Sequence, residues 1–304
     1  ESFNHLDFKA VMQIIKSYGT PYGDKNVSDY FQSTNLLNFP LILHFRIKTK
    51  NRKAYNHMAE SLFSVFGEEH LMDPKFSFLN NKNTWGKGTW TESPDDINLE
   101  NNIIFRPIIN KQNDATNTQG DTTINEDFSG KVIVIFNIKT IVPSASSNNS
   151  GYEDFINLTK EKADDKEPGN IVNYINLISP TPDCDTIRNF DVENATSLQK
   201  DEFIETSKYR LLISTPTISS ASLNYDFTRH IKSGIQMPCV SFQNLDSWDE
   251  ATECLNAKKN EEKEKCFNHI LRYHKFFKNE GAIIMKPKNM GFKLTKSSDA
   301  TANI

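Results

Sequence analysis

Cysteine is scarce in this sequence, and no two cysteines have the spacing of a zinc-ligand pair. The four cysteines are Cys184, Cys239, Cys254 and Cys266. Disulfides are rare in the reducing cytosol, where isolated cysteines remain thiols. We therefore expect reduced cysteines, no metal site and a cytosolic protein.

Long apolar runs and a strong net charge are also absent. No apolar run approaches the roughly 20 residues that a helix needs to cross a bilayer. The net charge is only -4, which gives no global electrostatic reason to bind nucleic acid. Attraction to anionic lipid would have to come from local basic patches. We expect a protein of the cytosol or of a membrane surface, with no nucleic-acid partner.

An apolar strand between two helical patterns is the clearest feature that is present. Residues 39–46 form an apolar run of strand length, and apolar residues recur at helical spacing in 7–18 and 54–66. Gly67 is placed to end the second helix. This order predicts α/β structure, in which helices cover a mostly parallel sheet or barrel.

Two polar residues end this strand on one face. Because strand residues alternate between faces, Ile42, His44 and Arg46 share one side. The carboxyl end of a barrel strand is where sites are built. His44 is either a hydrogen-bonded core histidine or a functional one, and Arg46 either binds phosphate or pairs with a buried carboxylate.

Further strands and two polar segments follow. The strands are predicted at 103–106 or 131–136, at 171–178, 211–213, 237–242 and 282–286. We expect them to be mostly parallel and side by side. A helix is predicted at 202–209. The segments 110–127 and 144–170 have few large apolar residues, so we expect both to lack regular structure except for one short helix at 152–158.

The order of several short segments resembles a known enzyme family. These segments are 39–43 with its flanking helices, the Ser-Pro-acid segment 93–97, the Asn-Tyr segment 223–226, Gly-Ile-Gln-Met at 234–237, and Met-Lys-Pro at 285–287. Together they resemble the X and Y halves of the barrel of eukaryotic phosphoinositide-specific phospholipase C, from the middle of the X half onward.

The resemblance implies a TIM-type (β/α) barrel that is incomplete at its N-terminal end and split by a disordered X/Y-type linker. The implied divisions are an X-like half at 1–142 with a disordered insertion at about 110–128, a linker at 143–170, a Y-like half at 171–292 and a tail at 293–304. The chain begins at Glu1 rather than Met. We expect it to be a section of a longer protein, with a gap where the first barrel strands belong.

Several catalytic groups of the family are replaced or would lie elsewhere. Its two acid–base histidines and most of its calcium ligands would precede Glu1. The one calcium ligand expected here falls at Arg46, and an arginine cannot ligate calcium. An arginine expected before Asn224 falls at Ser219. We therefore expect a catalytically degenerate barrel with no catalytic residue in this sequence, no cofactor and a lost calcium site.

We expect the site to bind its ligand although its catalytic groups have been lost. The predicted substrate-binding residues are His44, Arg46, Arg106 and Tyr225. In the family, the tyrosine matching Tyr225 packs against the sugar ring, so Arg46 and Tyr225 should share one cleft. Lys131 and Lys139 compete with Arg106 for one phosphate-binding strand position. The expected partner is a phosphoinositide headgroup or an anionic membrane surface, with protein partners also possible for a scaffolding module of lipid signalling.

Two other interpretations stay open. One is an active, divergent phosphodiesterase that converts phosphatidylinositol bisphosphate to diacylglycerol and inositol trisphosphate, with histidines supplied upstream of residue 1 and calcium held differently. The other is a structural subunit that uses the fold only as a platform.

Overall fold

The computed structural model describes residues 6–19, 40–81, 109–111, 122–142, 151–159, 170–181, 183–208, 210–216 and 227–240. The helices are α1 (Phe8–Gly19), α2 (Arg52–His70), α3 (Phe78–Asn81), α4 (Gly151–Thr159), α5 (Asn189–Glu193), α6 (Ser197–Thr206) and α7 (Phe227–Lys232). The strands are β1 (Leu41–Arg46), β2 (Ile109–Lys111), β3 (Thr122–Ile124), β4 (Val132–Asn137), β5 (Leu177–Ser179), β6 (Cys184–Arg188), β7 (Leu211–Thr215) and β8 (Met237–Pro238). Short 3-10 helices lie at Pro74–Phe76 and Ile171–Asn173.

Two parallel three-stranded sheets carry the fold, in the orders β1-β4-β5 and β6-β7-β8. The strands β5 and β6 are adjacent but belong to different sheets, and the Ser179 and Thr186 hydroxyl oxygens are 2.9 Å apart. The prediction of α/β structure with parallel strands is confirmed. Within the described residues, however, the two sheets do not close into a barrel.

The two faces of the first sheet bury different clusters. On one face, Phe136 packs among the helices, where its ring lies 6.2 Å from that of Phe155 in α4. On the other face, Ile133 and Ile135 share an apolar cluster with Ile213 of the second sheet. All six residues of β4 are buried, as expected for a central strand covered on both sides. Helices therefore cover one face, and both sheets contribute to one apolar cluster on the other.

The first two helices begin and end where local chemistry requires. The carboxylate of Asp7 accepts a hydrogen bond from the backbone N–H of Ala10 at 3.0 Å, which lowers the pKa of Asp7. The Asn51 side chain caps α2 by accepting from the N–H of Lys53 at 3.0 Å. Gly67 has φ +71°, so it interrupts α2 at the predicted position, although one more helical turn follows.

The prediction of two unstructured segments needs correction. Ile109–Lys111 and Thr122–Ile124 form an antiparallel pair at the margins of 110–127. Inside 144–170, the predicted short helix is present as α4, and its Phe155 is fully buried against Tyr55. A few well-placed apolar residues, spaced for one helix face, are enough to anchor this otherwise polar segment.

Three other elements differ from prediction. The strand predicted at 171–178 starts as a 3-10 helix, because the Asn170 side chain accepts from the N–H of Val172 at 3.1 Å, and only Leu177–Ser179 is extended. The helix predicted at 202–209 begins earlier, at a Thr196–Gln199 capping box. Strand β6 was not predicted at all. The candidate strands 103–106 and 282–286 lie outside the described residues.

Candidate functional site

The polar end of β1 lies where the alternation of strand residues predicts it. His44 is the register partner of Ile135, and Arg46 is the register partner of Asn137. Arg46 is exposed, whereas His44 is partly buried. Ile42, on the same face, packs against the apolar cluster shared by the two sheets. The strand thus passes from an apolar interior to a basic carboxyl end.

The imidazole of His44 contains an unpaired buried atom. Its Nε2 is inaccessible to solvent and has no hydrogen-bond partner. Burial lowers the pKa of His44 to about 4, so the ring is neutral at pH 7. A buried polar atom without a partner costs about 1–3 kcal/mol. His44 is therefore not a fully hydrogen-bonded core histidine, because its Nε2 has no partner.

A row of polar residues continues from Arg46 across neighbouring strand ends. Arg46 is paired in register with Asn137, and Asn137 with Ser179. The Ser179 hydroxyl oxygen lies 2.9 Å from the Thr186 hydroxyl oxygen. Thr186 is the first residue of this row that belongs to the second sheet. Asn137 is 7% exposed, and its side-chain oxygen accepts from the N–H of Lys139 at 3.1 Å. We call Arg46, Asn137, Ser179 and Thr186 the polar row.

Basic side chains surround the end of β1. Among the described residues, the exposed cations at or after the carboxyl ends of the strands, besides Arg46, are Lys48, Lys50, Lys53, Lys139 and Arg188. The exposed acids described at the same edge are Asp7, Asp154 and Asp191. In this part of the chain, exposed cations outnumber exposed acids around the ends of β1 and β4. Such a surface favours phosphate or anionic lipid.

Exposed apolar side chains lie along the same edge. Leu6 is 69% exposed and precedes α1, whose Phe8 ring is 5.5 Å from that of Phe45 near the end of β1. Phe190 is 55% exposed and lies two residues after the end of β6. Each large apolar side chain left in water lacks the stabilisation that burial would give. Together with the cations, they give this edge an amphipathic character.

Leu198 belongs to the same edge because of the direction of α6. The last residues of α6 lie beside the start of β8, where the Gln236 amide donates to the carbonyl of Ser207 at 3.0 Å. The first turn of α6 must therefore point toward the carboxyl ends of the strands. Leu198 lies in that turn and is 78% exposed.

Two of the predicted site residues are placed by the structure and two are not described. His44 and Arg46 lie on one face of β1, as predicted. Arg106 and Tyr225 lie outside the described residues, so the cleft predicted for Arg46 and Tyr225 stays a prediction. Lys131 precedes β4, at the opposite edge, and its ammonium donates to the carbonyl of Glu69 at 2.7 Å. That position removes Lys131 as a competitor at the carboxyl end.

Sequence reasoning missed a buried Ser–His–Glu chain on the helix side of the second sheet. The Ser214 hydroxyl is 2.7 Å from Nδ1 of His230, and Nε2 of His230 is 3.1 Å from the Glu193 carboxylate. The second Glu193 oxygen is 3.3 Å from the Arg229 guanidinium. In the neutral imidazole, a carboxylate at Nε2 makes that nitrogen the donor, and Nδ1 then accepts from the serine.

This chain resembles a hydrolytic triad only in composition. Ser214 is 0% exposed and His230 is 2% exposed, so no substrate can reach the hydroxyl. The three residues join β7, α5 and α7. A structural role follows, because buried polar groups on three elements satisfy one another. A lone serine, histidine and glutamate far apart in sequence have no spacing that would indicate this contact.

The Gly-Ile-Gln-Met segment at 234–237 is explained by its packing against α6 and β7. Gly234 has φ +85°, and a Cβ there would lie 2.9 Å from backbone atoms of Phe203 and Ile204 in α6. The Gln236 side chain accepts from the N–H of Leu212 and donates to the carbonyls of Ser207 and Arg210. These residues therefore hold α6 against the start of β8.

Among the described residues, no cluster of three or more His, Cys, Asp or Glu side chains is arranged to hold a metal ion. No described helix has the length and apolar character needed to cross a membrane. Comparisons with family models, curated proteins and solved structures found no match to this chain. The functional argument therefore rests on the residues themselves.

Proposed function

We propose that this chain is a catalytically degenerate, phospholipase C-like module that binds phosphoinositide headgroups at an anionic membrane surface. In this proposal it serves as a binding or scaffolding module in lipid signalling. The observation that carries the proposal is Arg46, an exposed guanidinium at the carboxyl end of β1, next to the partly buried His44. A guanidinium binds phosphate oxygens in a bidentate geometry and cannot ligate calcium.

The arrangement of strands supports the finer fold assignment. The six parallel strands follow chain order within their two sheets, and Ser179 meets Thr186 where the sheets adjoin. Helices lie on the face opposite the shared apolar cluster. An incomplete (β/α) barrel would have this order, with its ligand site at the carboxyl ends of the strands.

The surface around this site supports a membrane partner. Each lysine or arginine near an anionic leaflet contributes about 1 kcal/mol of attraction. Leu6, Phe190 and Leu198 are exposed at the same edge as these cations and would enter the headgroup region. Cations would supply most of the reversible attachment, and Arg46 would supply the preference for phosphorylated headgroups.

Vesicle sedimentation of the complete chain tests the proposal. Vesicles with phosphatidylinositol bisphosphate are compared with phosphatidylserine vesicles of equal surface charge. Wild-type protein should prefer the former, with or without a calcium chelator, and binding should weaken as salt rises. Arg46→Glu should weaken the phosphoinositide binding at least about tenfold, because it reverses a charge at short range.

Lys232→Glu is the matched control, because it makes the same charge change at the exposed end of α7, next to the opposite edge. It should bind like wild type. An equal loss in both variants would mean that net charge alone drives binding, which contradicts the proposal. Calcium-dependent hydrolysis of phosphatidylinositol bisphosphate by this chain would instead support the active phosphodiesterase.

A further inference from the structure

Two arginines end strands on the same face of the molecule, one in each sheet. Ile42 of β1 packs in the apolar cluster that the sheets share, so Arg46, four residues later, lies on that face. Cys184 of β6 is buried in the same cluster, so Arg188, four residues later, also lies on it. The backbone of Arg188 is extended, with φ -77° and ψ 144°, so the alternation holds to the end of β6.

Both guanidinium groups are accessible. Arg46 and Arg188 are exposed. Arg188 occupies the N-cap position of α5, but its side chain makes no capping hydrogen bond. Among the described residues, neither arginine has an ion-pair or hydrogen-bond partner, and Asp191 in the first turn of α5 does not pair with Arg188. Each guanidinium therefore keeps its bidentate donor geometry for an anion.

The surface between the two arginines is polar and carries no negative charge. The polar row runs from Arg46 through Asn137 and Ser179 to Thr186, and Arg188 lies two residues beyond Thr186. No member of this row is acidic, so none repels an anion. Three strand spacings separate β1 from β6, which is roughly 14 Å across a flat sheet. The separation is smaller here, because both sheets pack against one apolar cluster. One elongated polyanion is therefore able to contact both guanidinium groups.

We propose that Arg188 is a second anion-binding residue of the site at Arg46, so that one bound polyanion bridges the two sheets. This inference rests on the proposed function, because it extends the anion site of β1. The ligand chemistry is an elongated polyanion, either free in solution or displayed on a lipid.

Binding one ion through both arginines is favourable for two reasons. After the first guanidinium has bound the ion, the second contact is intramolecular and adds affinity without the cost of a second association. The anion also screens the repulsion between the two cations. Strands β5 and β6 adjoin but belong to different sheets, so a bridging ion would add a connection that the backbone hydrogen bonds of the sheets do not supply.

Calorimetric titration of the complete chain with tripolyphosphate tests this inference. Wild-type protein should bind one ion per chain. Arg46→Gln and Arg188→Gln should each weaken this single binding event about threefold to tenfold, the size of one net hydrogen bond. Lys232→Gln is the control, because it also removes one positive charge but lies at the exposed end of α7, next to the opposite edge. It should bind like wild type.

The outcomes separate this inference from the proposed function. Two ions per wild-type chain, with one lost in each arginine variant, would mean separate sites and would overturn the bridge. Wild-type affinity in Arg188→Gln together with weaker binding in Arg46→Gln would overturn only the role of Arg188. If Arg46→Gln binds tripolyphosphate like wild type, the proposed anion site itself is wrong.

Vesicle sedimentation distinguishes the two sources of the polyanion. If the bridging ligand is a lipid headgroup, Arg188→Gln should also bind vesicles with phosphatidylinositol bisphosphate more weakly than wild type. A loss of affinity for tripolyphosphate alone would identify a free polyanion as the ligand. The bridge between the sheets is supported in both cases.

Discussion

Mild acid is expected to destabilise this protein through His44. Burial lowers the pKa of His44 from 6.5 to about 4 in the folded chain. Between these values the unfolded chain binds a proton that the folded chain excludes, so stability rises with pH in this window. The contribution is fully present above about pH 6.5 and is lost as the pH falls toward 4.

The expected size follows from the pKa difference. One pKa unit corresponds to about 1.4 kcal/mol, so the shift of His44 corresponds to roughly 3 kcal/mol. For a chain of this size, 1 kcal/mol changes the melting temperature by about 2–4 °C. Titration of His44 should therefore lower the melting temperature by roughly 6–12 °C between pH 7 and pH 4.

Thermal melts of wild type and His44→Phe at intervals from pH 7.5 to pH 4 provide the assay. Phenylalanine does not titrate, so the variant should lose less stability on acidification, and the two curves should diverge as the pH falls. The pKa of His70 is also lowered by burial, and that acid-sensitive contribution stays in both proteins. Parallel curves over the whole range would refute the argument from burial.

Three further changes test the packing of the second sheet and of α2. Ser214→Ala removes the 2.7 Å hydrogen bond to His230 and should cost about 1–3 kcal/mol of unfolding free energy in denaturant titration, whereas an unchanged midpoint would contradict the buried chain. Gly234→Ala should lower the unfolding free energy by about 2–4 kcal/mol, because the added Cβ would clash with the backbone of α6. Gly67→Ala should lower it by only about 1–2 kcal/mol, because the added Cβ would meet a flexible glutamate side chain. A larger loss for Gly67→Ala than for Gly234→Ala would be inconsistent with this packing. The Cys184 thiol is fully buried, and burial raises its pKa, so iodoacetamide should label it only in denatured protein. Peptide mass spectrometry would detect the label. Labelling of the native chain would contradict this burial.

The strands that sequence reasoning predicted most accurately are rich in consecutive apolar residues. β1 and β4 are of this kind, and the alternation within β1 correctly placed His44 and Arg46 on one face. β6 has the sequence Cys-Asp-Thr-Ile-Arg, and its inward Thr186 meets the Ser179 hydroxyl rather than an apolar side chain. Cys184 of β6 is buried in the shared apolar cluster, but Asp185, Thr186 and Arg188 leave too few apolar residues for hydropathy alone to identify the strand.

The candidate site was partly predictable for a related reason. Alternation along one strand fixes which residues share a face, so β1 could be interpreted without any knowledge of its neighbours. The polar row needed the register of three more strands, and register depends on the packing of the whole sheet. The contact of Ser214, His230 and Glu193 joins three elements, and no local pattern encodes it.

Hydrogen-bond satisfaction, rather than composition, distinguishes the two histidine clusters. Ser214, His230 and Glu193 have the composition of a catalytic triad, but Ser214 and His230 are buried and the three residues satisfy one another, so their hydrogen bonds stabilise the fold. His44 lies in a run of otherwise apolar residues, yet its Nε2 has no partner and the exposed Arg46 is two residues away. A hydrogen bond to a ligand adds binding free energy only where the protein has not already made that bond. The polar groups of the triad are therefore satisfied within the fold, whereas the end of β1 keeps an unpaired imidazole nitrogen and an exposed guanidinium.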